Sequence, residues 1–115
     1  MSKFLPRRRL RIYVGERDKA GWQPLYLHII ELAHKAGLAG ATAFRGIASF
    51  GISHRLHMAH VLRLSEDLPI TIEILDTAAR IDDFLTSIEP LLEQTHTGML
   101  TMEDVLMRPL GGNAD

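Results

Sequence analysis

The sequence predicts an α+β chain of the ferredoxin-like kind, βαββαβ, in which two helices cover one face of a four-stranded antiparallel sheet and a long loop joins strands two and three. Three observations predict it. Leu10, Ile12 and Val14 alternate with Arg9, Arg11 and Tyr13, and Ile70, Ile72 and Ile74 alternate with Thr71, Glu73 and Leu75, the period of two expected of strands with one buried face. Two other segments place apolar residues three and four apart, the spacing of a helix face. The segments follow one another as strand, helix, strand, strand, helix, strand, the split β-α-β order.

Each element has its own signals. After the first strand, Gly15 to Gln23 reads as a loop, and Pro24 suits the first helical position, where a missing N–H costs nothing. Leu25, Ile29, Leu32, Ala33 and Ala36 then form a helical stripe, with Lys35 near its end and Gly37 and Gly40 available as left-handed stop residues. Ala41 to Ile47 reads as the second strand, its alternation blurred by Gly46, and a loop of about 51–66 follows. Asp76 or Thr77 can cap a second helix whose stripe is Ile81, Leu85, Ile88 and Leu92, bent or ended by Pro90. Met99 to Met107 reads as the last strand, with a bulge near Glu103 and Asp104 where its apolar face switches sides. Residues 111–115 form a tail. With helices on one face of the sheet, Ala43, Ile47, Leu75, Val105 and Met107 would leave the other face too apolar for water, so self-association is expected.

The 115 residues suit one domain, 1–115 with its core over about 9–108. A hydrophobic fraction of 46% and a charged fraction of 23% are those of an ordinary globular chain, and the absence of cysteine excludes disulfides, thiolate metal sites and thiol catalysis. No apolar run approaches a membrane span and Met1 to Arg9 lacks the apolar stretch of a leader, so a cytoplasmic protein without membrane insertion is expected. Lys3, Arg7, Arg8, Arg9 and Arg11 crowd the N-terminus. They read as a solvated lead-in to the first strand rather than a nucleic-acid surface, which needs several cations on one face.

Residues 44–69 carry the chemistry. Gly46 and Gly51, with Ser49 and Ser53, would let backbone N–H groups approach a phosphate, and Arg45, Arg55 and Arg63 would neutralise it. A glycine-containing hairpin or flexible loop explains the same spacing, and both readings stand. His54, His57 and His60 invite a metal, but in a strand His54 and His60 would lie roughly 20 Å apart with His57 opposite, and no single conformation converges all three. No metal site is therefore assigned. Ser53 beside His54 is sequence adjacency, not a catalytic pair. No catalytic residue can be named, and an enzyme is not expected. Glu73, inside an apolar strand, must face solvent, an interface or a bound polar group.

Arg-Ile-Tyr-Val-Gly-Glu (11–16), Pro-Leu-Tyr (24–26), Ala-Gly-Leu-Ala-Gly-Ala-Thr (36–42), Arg-Gly-Ile (45–47), Leu-Arg-Leu-Ser-Glu-Asp-Leu-Pro (62–69), Ile-Glu-Ile-Leu-Asp (72–76) and Thr-Met-Glu-Asp-Val (101–105) together resemble the PII-like proteins of domain-of-unknown-function family 190. The resemblance runs from about residue 9 to residue 108. It implies a regulatory, non-enzymatic subunit of a homotrimer, with a mobile T-loop after the second strand and an adenine nucleotide (AMP, ADP or ATP) in clefts between subunits. It also implies an unidentified protein partner, a transporter or channel by analogy with PII proteins. Carried over residue by residue, the nucleotide site would comprise Thr42, Arg45, Gly46, Gly51, Arg55, His57, Glu73, Leu75 and Gly98. Ser49 stands where relatives tend to have glycine, and Thr95 to Met99 lacks the Gly-Asp-Gly-Lys phosphate loop of true PII proteins. The alternative is a trimeric metal-binding protein of similar fold, resembling the CutA type, with the loop histidines as ligands.

Overall fold

A computed structural model of the chain describes residues 3–49, 57–58, 68–95 and 98–111. Four strands, β1 (Leu5–Gly15), β2 (Gly40–Arg45), β3 (Pro69–Asp76) and β4 (Met99–Met107), form one antiparallel sheet in the order β2-β3-β1-β4. Helices α1 (Leu25–Lys35) and α2 (Ala78–Leu92) cover one face. This is the ferredoxin-like βαββαβ arrangement expected from the alternation and the order of elements.

The strands alternate because one face is sealed. Leu10, Ile12, Val14, Ile70, Ile72 and Ile74 are buried under the helices, against Leu25, Ile29 and Ala33 of α1 and Ile81, Phe84 and Ile88 of α2. Phe84 does what Leu85 was expected to do, and Leu85 and Leu92 are only half-buried. Pro24 is the N-cap of α1 rather than its first helical residue, and Gly37, at φ +73°, ends that helix, while Gly40 begins β2. Thr77 caps α2 by accepting the Arg80 N–H at 3.3 Å. Pro90 lies within the last turn, and the helix runs on to Leu92. A short hairpin, Lys19–Ala20 with Gln23–Pro24, turns at Gly21 (φ +65°) and exposes Trp22 almost fully. Ala48–Ser49 pairs antiparallel with His57–Met58.

Three expectations are corrected. β1 starts at Leu5, so Arg7, Arg8, Arg9 and Arg11 lie within a central strand rather than leading into it. The β1–β4 register is unbroken from Leu5 opposite Met107 to Tyr13 opposite Met99, and no bulge interrupts it. The sequence suggested one because β4 is an edge strand whose Met99 to Asp104 are all exposed, so burial does not force its apolar residues onto one face. Finally, Ala43 pairs with Ile72 and so belongs to the helix side, and Ile47 lies beyond the end of β2. The open face carries Leu75, Val105 and Met107 at one end and charge at its centre.

Candidate functional site

Glu73 sits at that centre. Alternation places it on the open face opposite Thr42 of β2 and Arg11 of β1. Arg11 Nε donates to Glu73 Oε2 at 3.0 Å, while Arg9 Nη1 and Arg11 Nη1 both donate to Glu103 Oε1 of β4, at 2.8 and 3.2 Å. The hydrogen bond to Glu73 raises the Arg11 guanidinium above its ordinary value against a smaller opposing effect of desolvation, so it is a permanent cation. Four charges of alternating sign thus cross three strands. On the helix side, Arg8 bonds Asp104 of β4 and Asp82 of α2, and these bonds raise its guanidinium too, Asp104 more than Asp82. Arg8, Arg9 and Arg11 are thus matched by acids, while Arg7 Nη1 donates to the Pro6 carbonyl at 2.7 Å.

The candidate residues fall into two groups. Thr42, Glu73 and Leu75 share the open face, with Leu75 opposite Gly40 near the start of β2. Arg45 closes β2 opposite Ile70, on the helix side, and its guanidinium is ion-paired with Glu16, just past the end of β1. Gly46 follows, and its N–H donates to the Pro69 carbonyl at 2.8 Å. A Cβ there would lie 2.7 Å from Pro69 Cγ, so packing against the proline is reason enough for glycine.

Gly98 lies at the same end of the sheet but beside the other edge, just before β4. It lines a cavity of about 410 Å³ with Tyr13, Val14, Glu89, Thr95 and Leu100, between β1, β4 and the last turn of α2. Within one subunit Gly46 and Gly98 flank opposite edges, β2 and β4, and the fold does not bring them together. Gly51 and Arg55 lie outside the described residues, as do His54, His60 and most of the T-loop expected over 51–66; of His57 only the backbone pairing with Ser49 is described. Among the described residues no three metal-ligating side chains converge.

Sequence reading missed the acids that order this end. Asp18 Oδ2 accepts the Gly15 N–H and the Thr95 hydroxyl, each at 2.9 Å, joining the loop after β1 to the turn after α2. Asp76, 5% exposed, accepts the N–H groups of Ala39 at 2.8 Å and Thr77 at 2.6 Å. Only the spacing of Asp76 before α2 gave any hint of this, and it suggested a helix cap.

The sheet order, the two helices on one side and the long connection between β2 and β3 are those of the PII-like fold. CPII, a nitrogen regulatory PII-like protein from Thiomonas intermedia K12 solved bound to ADP, AMP and bicarbonate, superposes with a TM-score of 0.68 over 91% of both chains at 21% identity. Its apo form gives 0.63 over 95% of this chain and 99% of that one, at 17% identity. Residues 7–107 match DUF190, described as Uncharacterized ACR, and the chain belongs to that family. It is 33% identical over 103 residues to a UPF0166 protein of Aquifex aeolicus, covering 90% of this chain and 94% of that one. A UPF0166 protein of Methanocaldococcus jannaschii is 30% identical over 95 residues, 83% of this chain and 85% of the relative. The resemblance carried by the sequence motifs is borne out.

Proposed function

We propose that this protein is a cytoplasmic, non-enzymatic regulator that binds an adenine nucleotide in clefts between the subunits of a homotrimer. Its contacts with a partner protein, made through the segment between β2 and β3, then differ between the free and nucleotide-bound states. A ligand switches such a segment only by binding one of its states more tightly. The observation that carries the reading is the PII-like fold, shared over nine-tenths of the chain with a PII-like protein solved with ADP and AMP.

The geometry supports it in one respect. Thr42 and Gly46 border the β2 edge and Gly98 the β4 edge, so a neighbour that set its β2 edge beside this subunit's β4 edge would unite the two groups. In this reading Thr42, Arg45, Gly46, Glu73 and Leu75 of one subunit and Gly98 of the next line the cleft, and Gly51, Arg55 and His57 complete it. Among the described residues no helix is long and apolar enough to cross a membrane. Calorimetric titration with ATP, ADP, AMP and cyclic AMP tests the proposal. Saturable heat from at least one of them, at one site per subunit, is expected, and silence from all four overturns it.

A further inference from the structure

Arg45 differs from Arg8, Arg9 and Arg11 in how it is held. Arg8, Arg9 and Arg11 each lie between two carboxylates and are about one-third exposed or less. Against Arg45, among the described residues, stands the single carboxylate of Glu16, and the Arg45 side chain is 54% exposed. A cation shared by two acids is committed to them. One held by a single acid at an exposed strand end is free to change partners, since an exposed ion pair contributes little.

The place of this pair gives the exchange a consequence. Glu16 N–H donates to the Leu68 carbonyl and Gly46 N–H to the Pro69 carbonyl, both at 2.8 Å, so the ends of β1 and β2 grip the start of β3 from either side. The Glu16–Arg45 pair then spans β3 and ties together the two strands that flank it. A phosphate accepts two parallel N–H bonds from a guanidinium and carries at least as much charge as a carboxylate, so it competes well for Arg45.

We infer that Glu16 is an internal competitor for the phosphate of the bound nucleotide, with Arg45 passing from Glu16 to phosphate on binding. This rests on the nucleotide reading above and adds to it a residue that sets affinity. While Glu16 holds Arg45 the binding-competent form is only part of the population, and the apparent affinity falls by that fraction. Binding in turn breaks the side-chain tie between the ends of β1 and β2.

Calorimetry with ADP on the full chain, comparing wild type, Glu16→Gln, Arg45→Gln and the double variant, tests the inference. Glu16→Gln is expected to tighten ADP binding about two- to fivefold, the worth of an exposed ion pair. Arg45→Gln is expected to weaken it, and in that background Glu16→Gln should keep less than half of its effect. Glu16→Asp, which retains the charge but falls short of Arg45, should tighten binding as well and serves if Glu16→Gln folds poorly. Adenosine, which has no phosphate, should bind all variants alike. Unchanged or weaker ADP binding by both Glu16 variants overturns the inference, as does an equal gain with and without Arg45. If wild type binds no adenine nucleotide, the functional reading fails and takes this inference with it; if it binds and Glu16 is inert, the inference fails alone.

Discussion

At Gly98 a single missing carbon decides how two segments meet. A Cβ there would stand 2.7 Å from the Tyr13 carbonyl oxygen and 3.2 Å from Thr95 Cγ2, and the first of these is backbone that cannot swing aside. Gly98→Ala should therefore cost about 1–3 kcal/mol through overpacking. Gly40→Ala, in open space with no positive φ, should stay within about 0.5 kcal/mol of wild type. Melting curves of the two variants check this, and equal transitions would refute the packing argument. Gly46 was legible as a close approach for phosphate and Gly98 only through the family resemblance, whereas the structure supplies close packing at both, against the Pro69 ring at 46 and the Tyr13 carbonyl at 98. Glu73 was legible as an anomaly, a carboxylate in a run of isoleucines. Its partner was not, because Arg11 lies opposite it only through the register of β1 on β3.

Among the elements, β1 and β3 were readable because both are central and sealed on one side, so water and core impose the alternation. β4 was readable as a strand but not in its facing, since an edge strand exposed on both sides keeps no such record. The helices were found by their stripes, and the cap of α2 was narrowed to two residues of which Thr77 takes the role. Asp76 has a different task at that junction. Buried and bonded to the Ala39 and Thr77 amides, it fastens the connection after α1 to the start of α2, while Arg80 donates from α2 to the Ala36 and Gly37 carbonyls at 3.1 and 2.6 Å. Asp76→Ala should cost about 1–3 kcal/mol through unpaired donors. Asp76→Asn, keeping one acceptor, should cost less. Denaturant unfolding of the three proteins gives the order, and an alanine variant as stable as wild type would show that water replaces the carboxylate without loss.

For the molecule as a whole, the order of elements and the fold class followed from the sequence, but the surfaces they leave did not. The open face has a charged centre in place of the apolar sheet that composition suggested, because Arg9 and Arg11 draw Glu73 and Glu103 into one network. The proposed trimer would then draw on the two edge strands, where Phe44 on β2 and Met99, Leu100, Met102 and Leu106 on β4 reach solvent. Sedimentation should give three times the 12.9 kDa of one chain, independent of micromolar dilution. A monomer at those concentrations would remove the shared cleft. The hairpin after β1 adds a practical consequence. Its tip holds the chain's one tryptophan, Trp22, 89% exposed at the end of the sheet where Arg45 meets Glu16. An indole standing in water emits to the red and is open to collisional quenchers, so the unlabelled protein carries its own optical gauge of whatever settles on that end.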